Sequence, residues 1–359
     1  MSETTMPFEQ EKAEIFAEKA LTILNSGALA LMMSIGHQTR LFDVMATLPK
    51  STSQTIAAAA QLHERYVREC LNALVTGGIV EYDASHKTYY LPPEHAAFLT
   101  RASGSDNFAL FTQYIPVLAS VESKIVDCFS QGGGVPYAAY GRFHQVMAED
   151  SNLTIVEALE DHILPLLPGI PEALAQGIDV LDVGCGRGKT LLKLAQLFPN
   201  SRFRGYDLNH DTVDFANAEA ARHQVANLHY VVQDTTQFDE PESYDLITTF
   251  DAVHDQAHPD QVLRNIYRAL RPQGVYLMQD IRATTDVSGN MDHPLAPFLY
   301  TVSCMHCTSV SLAAGGVGLG TMWGRQQAEH YLREAGFTAI EIHELPHDIM
   351  NDYYILRKH

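Results

Sequence analysis

Five stretches of this sequence carry side chains that could do chemistry. In IDVLDVGCGRGKT, Ile178–Thr190, Asp182 precedes a glycine-rich turn, Gly184-Cys185-Gly186-Arg187-Gly188. Glycines directly after an apolar strand let the backbone press against a ligand with no Cβ in the way. In FRGYDL, Asp207 closes a second apolar run and is followed by Leu208. In FDAVHDQAHPD, Phe250 and Asp251 lead to His254 beside Asp255. A histidine with a pKa near its ordinary ~6.5 suits removal of a proton at neutral pH. Cys304-Met305-His306-Cys307 and His343-Glu344-Leu345-Pro346-His347 complete the set.

Each motif has competing uses. A phosphate-cradling loop requires Gly, four residues, then Gly-Lys-Ser/Thr. Gly188-Lys189-Thr190 supplies the second half, but the first glycine would fall at Val183. A dinucleotide fingerprint is G-x-G-x-x-G, and the spacing here is one residue shorter. An S-adenosylmethionine (SAM) turn is the third reading, with Asp182 just before the first glycine and Asp207 at the end of the next strand. Cys304 and Cys307 have metal or redox spacing. A closed zinc site takes four ligands, and Cys70, Cys128 and Cys185 are scattered, so no metal is expected. The H-E-x-x-H match works only on a helix, which Pro346 forbids. His254 has a structural alternative as a helix cap or water ligand. His258, before Pro259, is expected to cap the helix that follows.

The elements that must position these residues alternate strand and helix over 171–359. Strands are expected at Ile178–Val183, Arg202–Leu208, Leu228–Val232, Tyr244–Phe250, Val275–Asp280, Ala339–Leu345 and Tyr353–Leu356. Helices are expected at Lys189–Phe198, Asp211–His223, Gln261–Leu270 and Arg325–Ala335. Seven strands ending in a hairpin give an α/β, Rossmann-like doubly wound sheet. Residues 1–98 form a mainly helical module. In it a capped helix Ser51–Ala60, a helix Glu64–Thr76 with Tyr66, Val67, Cys70, Leu71 and Leu74 on one face, and two short strands, IVEYD and TYYLP, follow in winged-helix order. Residues 99–170 read as a helical connector broken at Gly132-Gly133-Gly134-Val135-Pro136. The insertion Ile281–Trp323 is 43 residues long, a length that suggests function. It is read as a lid over an acceptor, with His306, Cys307 and Trp323 lining it. The alternative is a packing helix.

Composition narrows the partners. The 359 residues carry 24 Lys+Arg against 43 Asp+Glu, a formal net charge of -19, where a nucleic-acid binder shows a basic footprint. Between Ala28 and Phe98 there are five Lys/Arg against six Asp/Glu, so the winged helix is expected to dimerise the chain rather than bind DNA. The opening MSETTMPFEQEKAEIF lacks a basic leader, and no uninterrupted apolar run of ~18 residues suggests a membrane span. Five cysteines without framework spacing fit a reducing cytoplasm.

DVGCGRG resembles the first SAM-binding motif of class I methyltransferases. The resemblance implies a cofactor site of Asp182, Gly184, Cys185, Gly186 and Gly188, with S-adenosylhomocysteine as product. It gives Asp207 both ribose hydroxyls and places the adjacent Leu208 in the cofactor site. Asp234-Thr235 in VVQDTTQF would take the adenine, and Phe250-Asp251 the methionine end. FDAVHDQAHPDQVLRNIYRALRPQG resembles the plant-type small-molecule O-methyltransferases, which also carry an N-terminal winged-helix dimerisation domain. By that match His254 is the general base and Asp255 its neighbour, although the family's next residue is Trp where Gln256 stands here. LPPEHAAFLT, GGGVPY, FDAVHDQAHPD, LYTVSCMHC and GGVGLGTMWG are further similar to bacterial methyltransferases with a winged-helix N-terminus. The implied function is SAM-dependent methyl transfer to a small-molecule oxygen or sulfur nucleophile by a homodimer. A SAM-binding winged-helix regulator and a nicotinamide-dependent oxidoreductase are the alternatives.

Overall fold

A computed structural model describes residues 8–359; residues 1–7, the start of the segment read for a leader, lie outside the described residues. The chain divides into two compact units, one ending at Pro116 and one beginning at Val117.

In the first unit, a helix Gln10–Gln38 precedes helices Leu41–Ala46, Ser53–Ala60 and Glu64–Thr76 and an antiparallel hairpin of β1 (Glu81–Asp83) and β2 (Thr88–Tyr90). The Thr52 hydroxyl accepts from the Thr55 N–H at 3.3 Å, capping Ser53–Ala60 as its residue type favours. Helix Glu64–Thr76 buries Val67, Cys70, Leu71 and Leu74 in a core with Leu41, Phe42, Ile56 and Ala57. Tyr66, expected on that face, is 79% exposed. It precedes Val67 by one ~100° step of the helix and sits edge-on to His63 instead. Helix Gln10–Gln38 is long and apolar enough to cross a membrane by length and composition, and only 17% of its apolar window is buried. Scattered polar residues interrupt its apolar window, so it holds no unbroken apolar run.

The second unit is built on a seven-stranded sheet. It comprises β3 (Asp179–Val183), β4 (Arg202–Asp207), β5 (Leu228–Val232), β6 (Tyr244–Phe250), β7 (Leu270–Ile281), β8 (Ile340–Glu344) and β9 (Asn351–Arg357). Their order is β5-β4-β3-β6-β7-β9-β8. All neighbours are parallel except β7–β9 and β9–β8, which are antiparallel. Strands buried on both faces read as continuous apolar runs, and the alternation sorts them into two layers. Val180, Leu246, Val275, Leu277, Tyr353 and Ile355 face one layer with helices Lys189–Leu197 and His210–Arg222. Leu181, Ile247, Tyr276, Met278, Tyr354 and Leu356 face the other, with helices Pro259–Ala269 and Gly324–Ala335. His343 and Glu344 lie in β8, so the H-E-x-x-H residues do not share a helix face.

β3 lies between β4 and β6, where strand order reverses, and ligands bind at the carboxyl ends of strands at such a switch point. The turn after β3 is held by two N–H donors. Those of Gly184 and Cys185 both reach the Tyr206 carbonyl, at 2.8 and 3.0 Å. Gly188 has φ +72°, and a Cβ there would lie 2.3 Å from the Tyr230 ring, itself 5% exposed. Gly188→Ala is therefore expected to cost at least ~1–3 kcal/mol for the backbone alone. A urea midpoint equal to that of the unsubstituted chain would refute the constraint.

Candidate functional site

A cleft of about 730 Å³ opens over this turn, within the range of small-molecule sites. It is lined by Asp182, Gly184, Cys185, Gly186, Gly188, Asp207, Leu208, Asp234, Thr235, Phe250, Asp251 and Asp255. Every residue read as cofactor-binding thus meets in one cavity, together with Asp255. The Gly186 N–H donates to Asp207 Oδ2 at 3.0 Å, and the Asn209 N–H to Oδ1 at 2.9 Å. These contacts fix the carboxylate plane while leaving lone pairs toward the cleft. Thr235 donates to Gln256 Oε1 at 2.8 Å, and Gln256 Nε2 donates to the Ala252 carbonyl at 3.0 Å. Gln256, where plant-type enzymes have Trp, ties the two loops together by hydrogen bonds. His258 is at the N-cap position of Pro259–Ala269 but makes no side-chain cap bond. It lines the cleft instead.

His254 is 3% exposed and lies behind Asp255 rather than among the cleft-lining side chains. Its Nδ1 faces Asp280 Oδ1 at 2.7 Å, and its Nε2 lies 3.4 Å from Asp255 Oδ1. Asp280 is held in turn by the indole N–H of Trp323 at 3.0 Å and the Ile281 N–H at 2.8 Å. Burial alone would depress the His254 pKa, but the Asp280 and Asp255 carboxylates outweigh it and hold the pKa well above the ordinary value. Burial also raises Asp251, with the Asp280 charge adding to it.

The insertion is helical, with Ala296–Val302, a π-turn Ser303–Cys307 and Thr308–Ala313 following one another. It lines the cleft with Val310, Ala313 and Ala314. His306, Cys307 and Trp323, expected to line it, are buried behind the wall. His306 stacks on Phe143 with ring centroids 3.6 Å apart, and burial pushes its pKa down to about 4. Cys307 accepts from the Thr321 hydroxyl at 2.9 Å, while Cys304 is exposed. Gly134 explains the GGGVPY segment. A Cβ there would overlap the Ser309 carbonyl at 1.9 Å, and the Val135 N–H reaches Ser309 Oγ at 2.8 Å.

Four contributors escape a sequence reading. Asp280 ends a buried strand as Asp207 does, and that shared position was the available signal. Tyr137 and His144 line the cleft, with rings stacked at 4.6 Å. Arg187 lies over the Phe215 ring at 4.4 Å. Tyr137 ends the GGGVPY segment and Arg187 stands inside the glycine turn, but neither motif gives that residue a role, and His144 lies outside every motif.

Residues 174–336 match the family described as "Methyltransferase domain" and residues 27–101 the "Rv2258c-like winged HTH domain". The fatty-acid O-methyltransferase of Mycolicibacterium smegmatis is 32% identical over 117 residues, 32% of this chain and 42% of that relative. The sterol 24-C-methyltransferase of Candida albicans is 28% identical over 166 residues, 46% of this chain and 41% of that relative. The matches thus span about two-fifths of these relatives' lengths. Human N-acetylserotonin methyltransferase, solved with SAM, superposes at TM-score 0.67 and 16% identity, covering 100% of this chain and 99% of that one. The mitomycin 7-O-methyltransferase MmcR superposes at 0.67 and 16%, covering 97% and 99%. The matches place a winged HTH domain before a methyltransferase domain, and the strand order β5-β4-β3-β6-β7-β9-β8 is that of the class I methyltransferase fold.

Asp182 is a test of the cleft's electrostatics. Its Oδ1 accepts from the Thr248 hydroxyl at 2.8 Å, and burial pushes its carboxyl up to about 7. An unfolded chain titrates this group near ~3.9. Between those values the folded chain keeps a proton the unfolded chain releases, so the group's contribution to stability falls as pH rises and is constant above the window. Asp182→Asn keeps the Thr248 acceptor and removes that slope. Urea unfolding without added cofactor should show the variant gaining on the unsubstituted chain from about pH 4 to 7, and parallel pH profiles would contradict it.

Proposed function

We propose that this chain transfers the methyl group of SAM to a hydroxyl or thiol of a small molecule in the cleft. When bound, SAM supplies an electrophilic methyl on a sulfonium sulfur. Asp207, Asp234 and Thr235 hold the nucleoside side, and Asp182, Phe250 and Asp251 flank the methionine end. The residues' own work is alignment and proton removal. The acceptor's oxygen or sulfur must lie in line with the methyl carbon and the sulfur, and walls from two helical segments serve that alignment. Ala138 and Met147 come from one segment, Val310 and Ala313 from the other. The acceptor's proton leaves at the His254–Asp255 corner as the new bond to carbon forms and the carbon–sulfur pair returns to sulfur. The observation that carries this reading is the convergence of the cofactor residues and Asp255 on one cavity, with His254 behind Asp255 and oriented by Asp280.

Two substitutions separate binding from chemistry. Asp207→Ala should weaken SAM binding in calorimetry, each lost charge-assisted hydrogen bond being worth ~1.5–3 kcal/mol. His254→Ala should leave that affinity near its original value and lower kcat by ~10²–10⁴. Full turnover of a true acceptor by the His254 variant would remove this residue from the mechanism.

We further propose that the first unit pairs two copies of the chain in a cytoplasmic enzyme. Phe16, Ile23, Leu24, Leu31 and Ile35 are each at least 40% exposed and fall within one wedge of about 120° on helix Gln10–Gln38. Arg65 and Arg68, the cations of the would-be recognition helix, are engaged by Glu69 and Glu64, which speaks for pairing over DNA binding. Light scattering should give twice the chain mass, and Leu24→Glu with Leu31→Glu should halve it. A monomer at micromolar concentration in the unsubstituted chain would end this part of the reading.

A further inference from the structure

One residue at the rim of the cleft joins three of the segments that wall it. Gln256 Oε1 accepts from the Thr235 hydroxyl at 2.8 Å, and Nε2 donates to the Ala252 carbonyl at 3.0 Å. Its carbonyl accepts from the Ser311 hydroxyl at 2.9 Å. Thr235 belongs to the loop read as holding the adenine, and Ala252 to the loop after β6. Ser311 belongs to helix Thr308–Ala313, which lines the cleft with Val310 and Ala313.

The insertion is fitted to this point. Beyond Ala313, residues 314–323 are turn and loop. They are held to the rim where the Val317 N–H donates to the Ala257 carbonyl at 3.0 Å and the Gly318 N–H to Ser311 Oγ at 3.1 Å. Gly316 lies flat on Ala257, where a Cβ would come within 2.3 Å of the Ala257 Cα. Ser311 therefore faces both ways, giving its proton to Gln256 and a lone pair to Gly318. Val317 itself is exposed. A rim stretch fixed by a few backbone contacts belongs to the low-stability end of a fold.

We propose that Gln256 is a positioning residue that couples the nucleoside end of the cleft to its acceptor wall. Filling the nucleoside end firms the hold on residues 311–318 and so fixes Val310 and Ala313 against the acceptor. The direction of the hydrogen bonds carries this. A hydroxyl has one proton and two lone pairs, and Thr235 gives its proton to Gln256. Its lone pairs are left for a ligand N–H, the donor that an exocyclic amine of a base presents. Hydrogen bonds in a chain polarise one another, so a donor bound at Thr235 strengthens the Thr235–Gln256 bond. The Gln256 amide is then held from two sides, and the carbonyl that anchors Ser311 is fixed with it. The tryptophan of plant-type enzymes has one donor and no acceptor and could not take the Thr235 proton. Coupling of this kind is reciprocal: an acceptor seated on the wall tightens the cofactor by the factor by which the cofactor tightens the acceptor. The inference rests on the methyl-transfer reading above, which supplies the nucleoside.

Hydrogen exchange read by mass spectrometry tests the coupling without an acceptor. The full chain is compared with and without saturating S-adenosylhomocysteine. Protection is expected at residues 184–188 and 234–237, and also at residues 311–318, where exchange should slow by roughly 5–150-fold, the usual range of coupling between sites. Gln256→Ala, with the ligand again saturating, should keep the protection at 184–188 and lose the ligand-dependent part at 311–318. A merely structural role would loosen 311–318 equally with and without ligand. Ser311→Ala cuts the far end of the link and should behave as Gln256→Ala does. Circular dichroism and a melting curve confirm the fold of each variant, and Ser311→Ala stands alone if the other unfolds. Protection that stops at 184–188 and 234–237 in the unsubstituted chain would overturn the coupling and leave the methyl-transfer reading in place. So would ligand-dependent protection of 311–318 that survives in a folded variant. A chain that S-adenosylhomocysteine protects nowhere would overturn that reading, and the coupling with it.

Discussion

Two hydrogen bonds to one carbonyl set the geometry on which the cleft depends. The Gly184 and Cys185 N–H groups both reach the Tyr206 oxygen, so the turn after β3 is fastened to the end of β4. That contact draws Asp207, the residue after Tyr206, under the Gly186 N–H. A turn released from β4 would separate the glycines from the carboxylate, and the two motifs would no longer address one ligand. The third glycine is required for another reason. Tyr230 stands on the neighbouring strand β5 and its ring fills the space where a side chain at position 188 would go. Tyrosine, glycine turn and aspartate therefore form one packed unit made from three successive parallel strands.

Most of that unit is legible in the sequence because parallel strands buried on both sides are apolar runs with sharp ends. All seven strands appear where their apolar runs stand, and the acids that end two of the early ones face the cleft. What does not read through is anything set by distance in space. Asp280 lies 26 residues from its partner His254, and only strand pairing between β6 and β7 brings them together. Tyr137, the last residue of GGGVPY, and His144 reach the cleft from a helical segment whose spacing carries no signature of a ligand site. The insertion misleads for a related reason. His306, Cys307 and Trp323 are the residues a reader of chemistry selects, but aromatic rings and a thiol also pack well. The π-turn at Ser303–Cys307 places His306 and Cys307 inward, and Trp323 turns in at the start of helix Gly324–Ala335, while the plainer Val310 and Ala313 face the cavity.

The acidic character of the chain acquires a local meaning at the cleft. Asp182, Asp207, Asp251 and Asp255 all border one cavity, and burial raises the pKa of the first three. Groups in that state favour a cationic occupant, because a positive charge restores the ionised form that burial opposes. In the methyl-transfer reading proposed above, such a cleft favours the positively charged sulfonium over the neutral thioether sulfur left after the methyl has gone, while the ammonium group is common to both. On that reading the same field holds the product less tightly than the cofactor. That bias comes from the protein's fixed carboxylates and needs no conformational change. It also explains why carboxylates that destabilise the empty fold stand in a cavity made by its most ordered strands. Their cost falls on a framework with two well-packed layers.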